Sequence, residues 1–163
     1  MGRPTTQRKA ISSFQALEKA KNSCANQEYC PFDIRRKLAE WGIDGEQAEW
    51  VIKELKSGDY LNEERYARAF VRGKFNIKSW GMQKISAALR KKNISEDCIK
   101  QAISEIEGDA YTNRLNIVAE KWLAQHKDEA ADTKKMKLYR FLSLKGYETN
   151  EIWNFINANK DFY

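Results

Sequence analysis

Nine basic side chains (Arg65, Arg68, Arg72, Lys74, Lys78, Lys84, Arg90, Lys91 and Lys92) fall between Asn62 and Lys92, with only Glu63 and Glu64 to oppose them. The whole chain of 163 residues carries a formal charge of +6, so the rest of it is close to neutral and the positive charge is local. A local cluster of cations creates a field that a polyanion feels at a distance. The chemistry on offer is electrostatic capture of phosphates or carboxylates, with no covalent bond made or broken. A smaller cluster follows: Lys134, Lys135, Lys137, Arg140 and Lys145 against Asp132 alone, between Asp132 and Gly146. The intervening Asn93–Ala131 holds four basic and eight acidic residues, so the sign of charge alternates along the chain.

Other chemistries are poorly supplied. His126 is the sole histidine, and the three cysteines, Cys24, Cys30 and Cys98, form no CxxC pair. A zinc site or a histidine-based triad therefore lacks material. There is no GxxxxGK[ST], GxGxxG or HExxH motif, and Glu63 and Glu64 sit where a helix start favours acid. No catalytic residue, cofactor-binding residue or metal ligand is expected, and the chain is expected not to be an enzyme. An odd cysteine count suggests a reducing compartment. No run of eighteen apolar residues or apolar signal core is present, so a cytoplasmic location without a membrane partner is expected.

The elements that hold these cations should be helices, since 32% of residues are charged and only two are proline. Asn62 suits an N-cap. At about 100° per residue, Arg65, Arg68 and Arg72 share one stripe, whereas Tyr66, Phe70, Gly73 and Ile77 share another, which is expected to pack. A bend at Ser79-Trp80-Gly81 leads to a second helix through Ile85 and Leu89. Trp80 reads as a packing plug at the joint before it reads as a base-stacking platform.

Elsewhere, a helix capped by Ser12 or Ser13 carries Phe14, Leu17, Ala20 and Cys24 and ends near Gln27. Pro31 opens a second, with Ile34, Leu38 and Trp41 ahead of Gly42, and Asp44 opens a third, which Ser57-Gly58 closes. Ser95 caps a helix that runs to about Glu107, and Gly108 separates it from one built on Ala110, Leu115, Val118, Trp122 and Leu123. Ala130-Ala131-Asp132-Thr133 reads as a turn and cap. The pattern repeats: Ile34-Leu38-Gly42-Ile43 aligns with Ile85-Leu89-Asn93-Ile94 and with Leu138-Leu142-Gly146-Tyr147, at offsets of 51 and 53 residues. Asparagine in place of glycine is tolerable, since it is the next most permissive residue for positive φ. The expected fold is all-α: three tandem three-helix repeats forming an elongated array, with a flexible basic tail at 1–10 and repeats at 11–58, 59–108 and 109–163. The middle repeat is the most basic.

The run LNEERYARAFVRGKF followed by WGMQKISAALRKKNI resembles the RecX family, regulators of the bacterial RecA recombinase. The residues that carry the resemblance are Glu63-Glu64-Arg65-Tyr66-Ala67, Phe70-Val71-Arg72, and the ending Ile85, Leu89, Lys92, Asn93 and Ile94. Two departures are Lys78–Met82, where many relatives have a Gly/Pro-rich joint, and Asn93 in place of glycine. The resemblance implies three tandem three-helix units lying in the groove of the RecA filament on DNA. There they would inhibit its extension, ATP hydrolysis and strand exchange, and so modulate recombination, DNA repair and the SOS response. The expected partners are the RecA filament and, less tightly and without sequence preference, single- and double-stranded DNA; a monomer is expected. The expected contact residues are Arg65, Arg68, Arg72, Lys74, Lys78, Lys84, Arg90, Lys91, Lys92, Lys134, Lys135 and Lys137. The alternative is a stand-alone nucleic-acid-binding helical module in which Gln83, Lys84 and Arg90 face a groove.

Overall fold

Three helices stop in the same way, and the stops mark the repeat. Gly42, Asn93 and Gly146 have φ of 80°, 59° and 89°, the left-handed region that ends a helix. The next N–H in each case reaches back five residues: Ile43 to the Leu38 carbonyl at 2.9 Å, Ile94 to Leu89 at 3.2 Å, and Tyr147 to Leu142 at 3.2 Å. The left-handed residues themselves donate to Ala39, Arg90 and Ser143, which completes a Schellman motif three times. Leu38, Leu89 and Leu142 are fully buried, as are Ile34, Ile85 and Leu138 one turn earlier.

The protein is described here from a computed structural model that covers residues 11–127, 130–159 and 162. The basic tail expected at 1–10 lies outside the described residues. Among those described, every regular element is helical. The helices are α1 (Ser13–Asn26), α2 (Pro31–Glu40), α3 (Gly45–Ser57), α4 (Glu63–Lys78), α5 (Met82–Arg90), α6 (Glu96–Ser104), α7 (Gly108–Ala124), α8 (Ala131–Lys145) and α9 (Thr149–Ala158). The chain forms two compact units that divide inside α4, between Tyr66 and Ala67.

In the first unit, α1 and α2 both pack on α3. Ser12 caps α1 in a capping box with Gln15, Pro31 stands in the first turn of α2, and Gly58 closes α3. Its core joins Leu17, Ala20, Ile34, Leu38, Val51 and Leu55. Phe14, expected to pack, is 70% exposed; its ring meets Trp50 edge-on, at 5.1 Å between ring centroids.

In the second unit, α7, α8 and α9 pack on one another and α5 packs on α6. Ser95 caps α6. Three expectations are corrected. On α4 the buried residues are Ala67, Val71 and Phe75 alongside Tyr66, while Ile77 is 77% exposed and Phe70 and Gly73 are only half-buried. Both stripes carry apolar residues four apart, so helical period alone could not rank them. Gly108 is the first residue of α7, and that helix buries Tyr111, Leu115, Ala119 and Leu123 while Ala110 is exposed. Ala131, Asp132 and Thr133 already belong to α8, whose start has no side-chain cap.

Asn93 offers a direct test of the repeated stop. Asn93→Ala should lower stability by about 1 kcal/mol, the penalty of a Cβ at left-handed φ, and the melting temperature by roughly 2–4 °C. Asn93→Gly should leave it level or higher. Thermal unfolding followed by circular dichroism decides between them.

Candidate functional site

The basic segment begins with residues that the fold itself uses. Asn62 Oδ1 accepts the Arg65 backbone N–H at 3.0 Å and so caps α4. The Arg65 guanidinium reaches Glu28 at 2.6 Å, the Asp59 carboxylate at 3.0 Å and the Asp59 carbonyl at 2.8 Å. Hydrogen bonds from Asn62 and Arg65 hold the Asp59 carboxyl below its usual range. Beside it, the Tyr66 hydroxyl donates to Asp33 Oδ2 at 3.1 Å, and the Cys30 thiol donates to the same oxygen at 3.2 Å. Asp33 is the buried charged residue among those described. Burial pushes the Tyr66 hydroxyl well above the usual tyrosine range. Arg65 and Tyr66 therefore bind the start of α4 to the first unit.

The other cations divide by what they touch. Arg68 pairs with Glu105. Arg90 meets Glu96 through two hydrogen bonds, at 2.6 and 3.0 Å. Arg72, Lys78 and Lys91 are exposed and form no ion pair among the described residues, while Lys92 is half-buried. Lys74 and Lys84 lie over the Trp80 ring, with Nζ 5.0 and 4.8 Å from its centroid. Of the expected stripe, then, Arg72 points to solvent and Arg65 and Arg68 are partly neutralised.

The joint between α4 and α5 is clasped to the end of α8. Ser79, at φ 52°, turns the chain out of α4. The N–H of Gly81 donates to the Lys145 carbonyl at 2.8 Å and that of Gln83 to Gly146 at 3.1 Å, while Lys84 Nζ donates to Leu144 at 3.0 Å. Carbonyls left over at one helix end thus meet N–H groups left over at the start of another, with the two dipoles in the favourable sense. Space for this exists because both residues at the crossing are glycine: a Cβ on Gly81 would stand 2.1 Å from the Gly146 oxygen. Tyr147 donates from its hydroxyl to the Ser79 carbonyl at 3.2 Å, and burial pushes that hydroxyl up to about 12. The Tyr111 hydroxyl accepts the Met82 N–H at 3.3 Å and donates to Glu148. Trp80, half-buried, braces the two lysines.

On α8, Lys134 donates to the Lys127 carbonyl at 3.3 Å, Lys135 lies over Trp153 and Lys145 over Phe141. Lys137 and Arg140 are exposed. Among the described residues no group of three or more His, Cys, Asp or Glu is placed to hold a metal ion, and no helix is long and apolar enough to cross a membrane.

Sequence reasoning missed the Cys30–Asp33–Tyr66 cluster and the clasp at Gly81 and Gly146. Asp33 looks like any first-turn acid in a helix begun by proline, and only tertiary burial singles it out. Gly81 carried a signal, being a glycine beside a bend, but nothing local named its partner.

These features define a class: an all-α protein built from repeated three-helix units. Residues 62–103 match the family described as RecX, second three-helix domain. The chain is 34% identical over 118 residues to the regulatory protein RecX of Clostridium perfringens (strain 13 / Type A), an alignment that covers 71% of this chain and 55% of that one. It is 33% identical over 120 residues to that of Pelodictyon phaeoclathratiforme, covering 74% and 73%. A crystal structure of regulatory protein RecX shares the fold at a TM-score of 0.80 and 22% identity, over 90% of this chain and 72% of that one. The crystal structure of RecX from Lactobacillus salivarius does so at 0.71 and 22%, over 88% and 96%. The chain belongs to the RecX family of regulatory proteins. It spans about half the length of the Clostridium perfringens relatives it matches.

The buried hydroxyl of Tyr147 predicts a pH dependence. Its folded-state value is raised, so its contribution is complete below about pH 10 and is lost as pH rises toward 12. Over that window Tyr147→Phe should flatten the fall in unfolding free energy by up to about 1.4 kcal/mol per pH unit. Urea titrations of both proteins at pH 9 to 11.5 measure the difference, and parallel curves would contradict it.

Proposed function

We propose that this protein binds the RecA–DNA filament as a monomer and, without catalysis of its own, inhibits filament extension, ATP hydrolysis and strand exchange. The repeats would be those at 11–58, 59–108 and 109–163. The observation that carries the reading is the location of the free cations: Arg72, Lys78 and Lys91 all fall inside the segment that matches the RecX second domain. Exposed cations without an internal carboxylate need give up no pairing energy to meet phosphate. Each phosphate they neutralise releases condensed counterions, which makes binding steep in salt. Lys74 and Lys84, braced on Trp80, add two ammonium groups whose rotamer freedom is already reduced. Bare single- and double-stranded DNA would bind by the same contacts, less tightly and without sequence preference.

The test is ATP hydrolysis by the RecA of the same source on single-stranded DNA, with this protein titrated in. Hydrolysis should fall, and filaments should bind the protein better than bare DNA does. The double variant Arg72→Glu/Lys78→Glu should need roughly tenfold more protein for the same inhibition, about 1.4 kcal/mol, at an unchanged melting temperature. Arg68→Glu should behave differently. It sets an acid against Glu105, so it should also cost on the order of 1 kcal/mol of stability. Unaltered hydrolysis with the parent protein, or equal affinity for filament and bare DNA, would overturn the proposal.

A further inference from the structure

Helix α8 is apolar on two sides. One side buries Leu138 and Leu142. The other leaves Met136 60% and Leu144 70% exposed, and these line an open groove of about 750 Å³ together with Asp132, Lys137, Arg140 and Ser143. Met136, Arg140, Ser143 and Leu144 recur at i, i+4, i+7 and i+8, so they form a single stripe on the helix surface. Met136 and Leu144 stand about 12 Å apart along the axis, two helical turns.

We propose that this stripe is a docking surface for an acidic amphipathic helix of a partner protein. Two apolar anchors two turns apart match the spacing with which a partner helix presents its own apolar face to a groove. Arg140 lies beside the anchors and calls for a carboxylate on the flank of that helix. Arg140 is exposed and forms no ion pair among the described residues. A nucleic-acid backbone would complement Arg140 but would leave Met136 and Leu144 facing charged, hydrated phosphate. A second copy of this chain is disfavoured as well, because an isologous pairing would set the same cation against itself. The inference is independent of the RecA reading: it assigns this face to protein and leaves phosphate to α4 and α5.

The experiment uses the full chain and no RecA. A fluorescein-labelled peptide of about 16 residues, long enough for a helix under added stabilisation, carries leucines at i, i+4 and i+8 with flanking glutamates. The controls are a scrambled peptide of the same composition and a labelled single-stranded oligonucleotide, each read by anisotropy. The parent should bind the amphipathic peptide at least roughly tenfold tighter than the scrambled one. Met136→Ser/Leu144→Ser, which changes no charge, should abolish that preference and leave oligonucleotide binding within about twofold. Arg140→Glu should weaken the peptide alone by several-fold, which keeps the test open if the double variant unfolds. The proposal is overturned if the parent fails to discriminate the peptides, or if both variants retain the preference. It is overturned equally if the serine variant loses oligonucleotide binding to the same extent, which would mark the face as a nucleic-acid site.

Discussion

Two helix ends complete each other where α5 starts and α8 stops, and the conformation of the basic segment depends on that exchange. The last carbonyls of α8, at Leu144, Lys145 and Gly146, accept from Lys84, Gly81 and Gln83. The Gly81 and Gln83 N–H groups and the Lys145 and Gly146 carbonyls lie at helix ends where no partner within the same helix is on offer, and an unpaired buried peptide group costs on the order of 1–3 kcal/mol; the Lys84 ammonium adds an exposed side-chain contact. The constraint behind the exchange is steric. With no Cβ on Gly81 or Gly146, the backbones approach to a distance that any larger residue would forbid. Gly146 serves twice, since its φ of 89° also ends α8. The same contact fixes Ser79 and Trp80 through Tyr147, so it sets where Lys74 and Lys84 stand.

The repeat was legible because its signals are local. A left-handed stop needs glycine or asparagine at one position, an apolar residue just after it, and a leucine five residues before that one. All three are visible in Leu38-Gly42-Ile43, Leu89-Asn93-Ile94 and Leu142-Gly146-Tyr147. The caps at Ser12, Asn62 and Ser95 were legible for the same reason. What stayed hidden depends on residues far apart in sequence. Whether Ile77 or Phe75 faces inward depends on what lies opposite, and both fit a four-residue spacing. On α8 the repeat singles out Leu138 and Leu142, but apolar residues on two sides cancel the amphipathic signal, so nothing local marked Met136 and Leu144 as a second, exposed stripe. Nor could any count of charges foretell that Glu28 and Glu105 would be brought to Arg65 and Arg68.

That last point changes what the motif means. A charge tally over Asn62–Lys92 treats every cation alike, yet a guanidinium held by one or two carboxylates contributes little field at a distance. With Arg65, Arg68 and Arg90 paired, the outward field of the segment comes mainly from Arg72, Lys74, Lys78, Lys84 and Lys91. Arginine with its fork geometry has gone mainly to carboxylates inside the molecule, as suits its bidentate reach. Lysine, a point charge on a flexible stem, supplies most of what is left outward. A surface made largely of lysines is suited to a regular, diffuse charge and poorly suited to reading individual bases.

Flexible lysines have a weakness as ligands for a fixed charge array, because ordering each long side chain costs on the order of 0.5–1.5 kcal/mol on binding. Trp80 bears on that cost. Its ring holds Lys74 and Lys84 at cation–π distance before any partner arrives, and such contacts contribute roughly 0.5–1 kcal/mol at exposed sites. Part of the ordering has therefore been done within the free protein. Removing the indole while keeping both lysines would leave the net charge unchanged, so long-range attraction would persist, yet the two ammonium groups would have to be ordered on contact. The expected loss lies in how long a bound anion stays and not in how fast it arrives, which separates a bracing role for Trp80 from a stacking one.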